Sequence, residues 1–182
     1  VSQQKCDIAM AGLTINEERE GYVTFTDSYY SASQRLIVPS NVTTFDDCKT
    51  ADDVAAKLAE TKSSDQIGVQ QGTTGDIYCS DTPENGGYGE DHVVAYQNGA
   101  SAVQALKTGK VDAVVIDNEP AKAFVAENEG LKILDTEYIS EDYAIAIAKD
   151  NTELLDKVNT SLKKLKEDGT VQSIIDKYIK AE

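Results

Sequence analysis

The chain has 182 residues, 40% of them hydrophobic, which gives room for one large domain or two small lobes and is too apolar for a disordered segment. Acidic residues outnumber basic ones 32 to 17, and the resulting net charge of -15 argues against nucleic acid or an anionic membrane as a partner. No apolar run reaches the roughly 18–20 residues needed to cross a bilayer and no secretion signal is visible, so for an exported protein the signal is expected outside this chain.

Taken in chain order, "CDIAMAGL" (6–13) is a short apolar run ended by a turn and predicts a buried strand. "TINEERE" follows, with Thr14 or Asn16 as helix cap and acidic residues in the first turn. "YVTFTDSYY" (22–30) is rich in aromatic and β-branched residues and predicts a strand, as does "QRLIVPS" (34–40), stopped by Pro39. "TADDVAAKLAE" (50–60) is an amphipathic helix capped by Thr50 or Asp52, with Val54 and Leu58 on its apolar face. Next come a strand (66–71), a glycine-bounded turn "GTTGD" (72–76), a short strand "VVAY" (93–96), a helix (99–110) and a buried strand "VDAVVID" (111–117). A helix over 118–130 tolerates Pro120 near its first turn, and "LKILD" (131–135) returns as a strand. After Glu141 the strand "YAIAIAK" leads into helices over 151–169 and 170–182; in the first, Leu154, Leu155, Val158, Leu162 and Leu165 form an apolar stripe that packing alone explains. Strands alternating with helices predict an α/β fold with a mostly parallel sheet.

Three cysteines, Cys6, Cys48 and Cys79, form no CxxC motif, and an odd number leaves at least one thiol unpaired in a monomer. A single histidine, His92, rules out a His-rich metal site and reads as a surface residue beside a strand. Neither a metal nor a cofactor is expected.

Three stretches carry chemistry. In "AGLTINEER" (11–19) an arginine, whose planar fork matches a carboxylate, follows a threonine and a small-residue turn that offer further donors. In "QGTTGD" (71–76), Gly72 admits close backbone approach while Thr73 and Thr74 offer hydroxyls and amides at a helix start. In "VIDNEPA", Asp117 ends a strand where open α/β sheets bind ligands; it could accept from an ammonium, or serve only as a helix N-cap. Each has a plain alternative as a surface arginine or a capped turn. Together, two donor clusters and one acidic acceptor suit a zwitterion, an α-amino acid.

"AGLTINEERE…VTFTDSYY", "VQQGTTGD", "QALKTGKVDAVVIDNEPAKAFV" and "DYAIAIAKDNTELLDKVNTSLKKLKEDGTVQSIIDKYI", in this order and spacing, resemble the periplasmic-type amino-acid-binding proteins of ABC importers (bacterial extracellular solute-binding proteins, family 3). The resemblance implies an α/β, periplasmic-binding-protein-like (type II) fold of two lobes joined by crossing strands near 31–36 and 139–145. The expected division is 1–36 (partial lobe 1 and the first crossing), 37–138 (a complete lobe 2) and 139–182 (the second crossing and the C-terminal helices of lobe 1).

Carried onto this chain, the resemblance assigns Arg19 to the ligand α-carboxylate with help from Thr14, and Ala11 or Gly12 to the ammonium through a backbone carbonyl. Thr74, alone or with Thr73, would hold the carboxylate beside Gly72, Asp117 would hold the ammonium, and Gln70 or Gln71 would select the side chain. The implied protein is not an enzyme. It captures a free amino acid for a membrane permease, outside the cytoplasm as a periplasmic or lipid-anchored protein. Alternatives are an amino-acid-sensing receptor domain, a truncated fragment with impaired binding, and a dehydratase-like enzyme. Export would permit a Cys48–Cys79 disulfide, with Cys6 a small hydrophobe on its strand. Family members begin with about 70 further residues by the same resemblance, so 6–13 is expected to lack one strand neighbour and to pair with the strand near "FTDSYY". Leu154, Val158, Leu162 and Ile174 are then candidates for exposure, and a homodimer through the incomplete lobe is expected.

Overall fold

The computed structural model describes residues 1–3, 5–60 and 66–178. They divide into two units, Val1–Ala32 with Glu141–Glu182, and Ser33–Ser140. Two strands, β3 (Tyr30–Pro39) and β8 (Ile139–Ala148), carry residues of both.

The unit Ser33–Ser140 is built on strands β3, β4 (Ile67–Gln70), β5 (Val93–Tyr96), β6 (Ala113–Asp117) and β7 (Leu131–Ile133). β4, β5 and β6 run parallel, with β4 in the middle, and β6 pairs antiparallel with β3, which also pairs antiparallel with β7. The apolar runs of β3 and β6 make sense as strands buried on both faces, because successive side chains point to opposite sides. Leu36, Val38, Val69 and Val115 join one core with Val54 and Leu58 of α2 (Ala51–Glu60) and Cys79 of α3 (Thr74–Ser80). Ile37, Val114 and Ile116 join a second core with Ala102, Val103 and Leu106 of α4 (Gly99–Lys107) and Ala121 of α5 (Asn118–Glu127). Each fully buried Val, Leu or Ile side chain among these stabilises the fold by roughly 1.5–3 kcal/mol relative to exposure.

Local chemistry sets the helix starts. Thr50 is the cap of α2: its Oγ1 accepts from the Asp53 N–H, while Asp53 Oδ2 accepts from the N–H groups of Lys49 and Thr50. Hydrogen bonds from the Lys49 N–H, the Thr50 side chain and the Thr50 N–H hold the Asp53 carboxyl below its ordinary value of 3.8. Asn98 and Asn151 cap α4 and α6 (Thr152–Glu167) through their side-chain oxygens.

In the other unit, residues of β8 pair with β1 (Ile8–Thr14) on one edge and β2 (Val23–Phe25) on the other, both antiparallel. Ile145 and Ile147 of β8 pack with Leu162 of α6, and Tyr29, Leu154, Leu155 and Val158 close this smaller core. The helix expected over 170–182 is α7 (Thr170–Tyr178), and 179–182 lie outside the described residues.

Several expectations are corrected. The strand in 6–13 is not buried: Ile8 is 43% and Met10 58% exposed, and its partner is β8 rather than the stretch near "FTDSYY". Among the described strands β1 has no other neighbour, and four of its seven residues are exposed. Cys6 is exposed, not a buried hydrophobe, and its sulfur accepts from the Val1 amino group. Cys48 and Cys79 are free thiols, not a disulfide. Cys79 is buried against Tyr138, whose hydroxyl it engages, and burial pushes its thiol up to about 12. Leu162 is buried, and Leu154 and Val158 pack on it, whereas Ile174 is exposed as expected. No described helix is long and apolar enough to cross a membrane.

Candidate functional site

The stretch 11–19 folds as the end of β1, a turn, and the short helix α1 (Glu17–Glu20). Pairing with β8 shifts register between Ala9 and Leu13, and within this irregularity Gly12 takes φ +61°, a conformation that side-chain-bearing residues rarely adopt. Its N–H donates to the Tyr29 hydroxyl at 3.3 Å, and the Tyr143 ring lies where a Cβ would press at 3.2 Å. Ala11 and Gly12 are exposed, and Thr14 is buried.

Asn16, not Thr14, is the cap of α1: its Oδ1 accepts from the Arg19 N–H at 2.8 Å. The turn folds the arginine back, so that Nη1 donates to the Thr14 carbonyl at 2.9 Å. This bond fixes a half-buried guanidinium by one corner. Among the described residues no carboxylate pairs with Arg19, in a chain with 32 acidic residues. A guanidinium carries five donors, so most of its fork stays available to a planar anion.

In the Ser33–Ser140 unit, the chain leaves β4 at Gln70 and turns through Gln71, Gly72 and Thr73 into α3. Gly72 has φ +74° and donates its N–H to Asp76 Oδ2 at 2.8 Å; the Gln71 N–H reaches the Tyr96 carbonyl. Thr73 occupies the cap position, but its hydroxyl donates back to the Gln70 carbonyl at 2.8 Å, so α3 begins without a side-chain cap. Gln70 Oε1 accepts from the Gly99 N–H at the start of α4, which ties that amide to the scaffold, whereas Gln71 and Gly72 are exposed. Thr74 is only 3% exposed, and its hydroxyl accepts from Gln34 Nε2 at 3.4 Å.

Asp117 ends β6 and is the N-cap of α5, its Oδ1 accepting from the Glu119 N–H at 3.0 Å; of the two roles open from the sequence, the cap is the one seen directly. Its backbone lies opposite Gln34 in the β3–β6 register. Within each unit the structure therefore gathers what the sequence singled out: Gly12, Thr14 and Arg19 in one, and the turn 70–74 with Asp117 in the other. Gln34, Tyr29 and Tyr143 were not singled out. The only signal for Gln34 was an amide just ahead of the apolar run 36–38, and two tyrosines among nine gave none.

The described residues contain no cluster of His, Cys, Asp and Glu suited to a metal ion. The geometry offers instead a guanidinium fork, a buried hydroxyl beside a glycine turn, and a carboxylate at a strand end.

The chain is 31% identical over 176 residues to the ABC transporter glutamine-binding protein of Bacillus subtilis, the match covering 97% of this chain and 59% of that protein. It is 31% identical over 180 residues to ABC transporter arginine-binding protein 1 of Escherichia coli, covering 96% of this chain and 67% of that one. A solved ancestral arginine-binding protein bound to arginine superposes with a TM-score of 0.78 at 36% identity, over 98% of this chain and 74% of the other. The profile of the bacterial extracellular solute-binding proteins, family 3, matches residues 1–181. The fold is thus the α/β fold of amino-acid-binding proteins, and the chain belongs to the bacterial extracellular solute-binding proteins, family 3.

Proposed function

We propose that this chain is the ligand-gripping part of an extracellular or periplasmic solute-binding protein that captures a free amino acid between two lobes and delivers it to an ABC permease. The two units, Val1–Ala32 with Glu141–Glu182 and Ser33–Ser140, are read as contributions to those two lobes. The observation that carries this reading is Arg19: a half-buried guanidinium, steadied on the Thr14 carbonyl and paired with no described carboxylate. Such a group is costly to leave idle and well shaped for an α-carboxylate.

In this reading Arg19 and Thr14 hold the carboxylate from one lobe, with Thr74 and Thr73 reaching it from the other beside Gly72. The ammonium lies between Asp117 and a carbonyl of Ala11 or Gly12. Gln71, exposed at the turn, is better placed than the scaffold-bound Gln70 to meet the ligand side chain. Binding requires no proton transfer or covalent step, and none of these residues is assigned one. The relatives named for arginine and glutamine support a polar ligand side chain.

Calorimetric titration with the twenty amino acids tests the proposal. Arg19→Ala is expected to cost roughly 2–5 kcal/mol of binding, the usual loss when one partner of a buried charge pair is removed. Arg19→Lys should not restore it, because an ammonium lacks the parallel pair of donors. Wild-type affinity in Arg19→Ala would sink the assignment.

A further inference from the structure

Gln34 is 3% exposed, on a strand whose following residues Leu36, Ile37 and Val38 are wholly buried and apolar. An amide is expensive to bury unless it is bonded. Its Nε2 reaches the Thr74 hydroxyl, its backbone faces Asp117 across the β3–β6 pairing, and its carbonyl accepts from the Tyr138 N–H. Gln34 therefore adjoins Thr74 and Asp117, two of the residues that the Ser33–Ser140 unit is proposed to give to the ligand. The fit on its other side is close. A Cβ on Gly75 would stand 2.9 Å from Gln34 Oε1 and 3.3 Å from the Val115 carbonyl, so a side chain at that position would have to push the Gln34 amide aside.

The direction of the hydrogen bond matters. An amide N–H only donates, so the Thr74 oxygen must accept from Gln34, and the hydroxyl proton is left to donate elsewhere. A hydroxyl that accepts one bond is also polarised to give a stronger one. Taking the amino-acid reading above as its basis, we infer that Gln34 is a positioning residue which holds Thr74 as a hydrogen-bond donor toward the ligand carboxylate. Gln34 does not itself touch the ligand.

A double-mutant cycle tests this, with Gln34→Met, which keeps length and apolar shape, and Thr74→Val, which removes the hydroxyl. Affinity for the tightest-binding amino acid is measured by calorimetry, and stability by thermal unfolding of each variant. Gln34→Met is expected to weaken binding on the order of five- to tenfold, the worth of about one neutral hydrogen bond, and to add nothing in the Thr74→Val background. Its effect on melting should be similar in both backgrounds. Gly75→Ala, which drives a methyl against Oε1, should reproduce the loss without altering Gln34 and serves where Gln34→Met does not fold. Unchanged affinity in Gln34→Met, or losses that simply add with those of Thr74→Val, overturns the inference while leaving the amino-acid reading intact. A wild-type chain that binds none of the twenty amino acids overturns that reading, and the inference with it.

Discussion

Asp117 has one duty seen directly and a second that is proposed, and a single substitution separates them. Its Oδ1 caps α5, and asparagine caps a helix about as well as aspartate. Asp117→Asn should therefore leave stability within a few tenths of a kcal/mol in urea unfolding, yet weaken binding of amino acids more than of their deaminated analogues. Equal losses for both ligand classes would make Asp117 a cap and nothing more. Arg19, Thr74 and Asp117 were legible in the sequence because each sits in a motif with a turn or strand end beside it. Gln34 was not, since its importance comes from Thr74, 40 positions away, which no local pattern records. The Tyr29 and Tyr143 contacts at Gly12 were hidden for the same reason.

At the level of elements, periodicity located most helices and strands to within a few residues, and the misreading of β1 is instructive. An apolar run says that a strand is compatible with burial, not that neighbours exist to bury it. β1 has one described neighbour, β8, and leaves Met10 in solvent. The cap of α2 was offered as Thr50 or Asp52, and the structure shows why the choice needed coordinates: Asp53 answers Thr50 reciprocally, three residues on. Thr50→Ala is expected to cost about 1 kcal/mol in denaturant unfolding. The pH dependence follows from Asp53, whose folded-state value lies below 3.8. A carboxylate held low when folded binds protons more readily when unfolded, so its stabilisation is present above 3.8 and disappears as pH falls through the lower folded value. The stability difference between wild type and Asp53→Ala should accordingly be constant near neutrality and shrink in acid. A difference that persists unchanged at pH 2, on the order of two units below that value, would contradict it.

At the scale of the whole molecule, the unit Ser33–Ser140 has cores on both faces of its sheet, while the other unit has one small core around Ile145, Ile147 and Leu162. The smaller unit also shows Ile8, Met10, Ile174 and Tyr178 to solvent. A strand with apolar side chains and one described partner tends to recruit another strand. Light scattering of this 182-residue chain is expected to show concentration-dependent self-association that Met10→Lys suppresses. A monomer at millimolar concentration would refute it.

The two-faced burial of β3 and β6 has a consequence for how the chain finds its own alignment. Ile37 lies opposite Val114, Leu36 opposite Val115, and both faces are apolar, so sliding one strand past the other by a single step exchanges like for like. Hydrophobicity cannot tell the two alignments apart. What differs is the head of the ladder, where Gln34 lies opposite Asp117 and Arg35 opposite Ile116: a slip carries the Gln34 amide away from the Thr74 hydroxyl. The amide proposed to position Thr74 is thus also the ruler by which these strands are measured against each other. A chain that traded this amide for an oilier residue would lose the instruction that says where pairing begins.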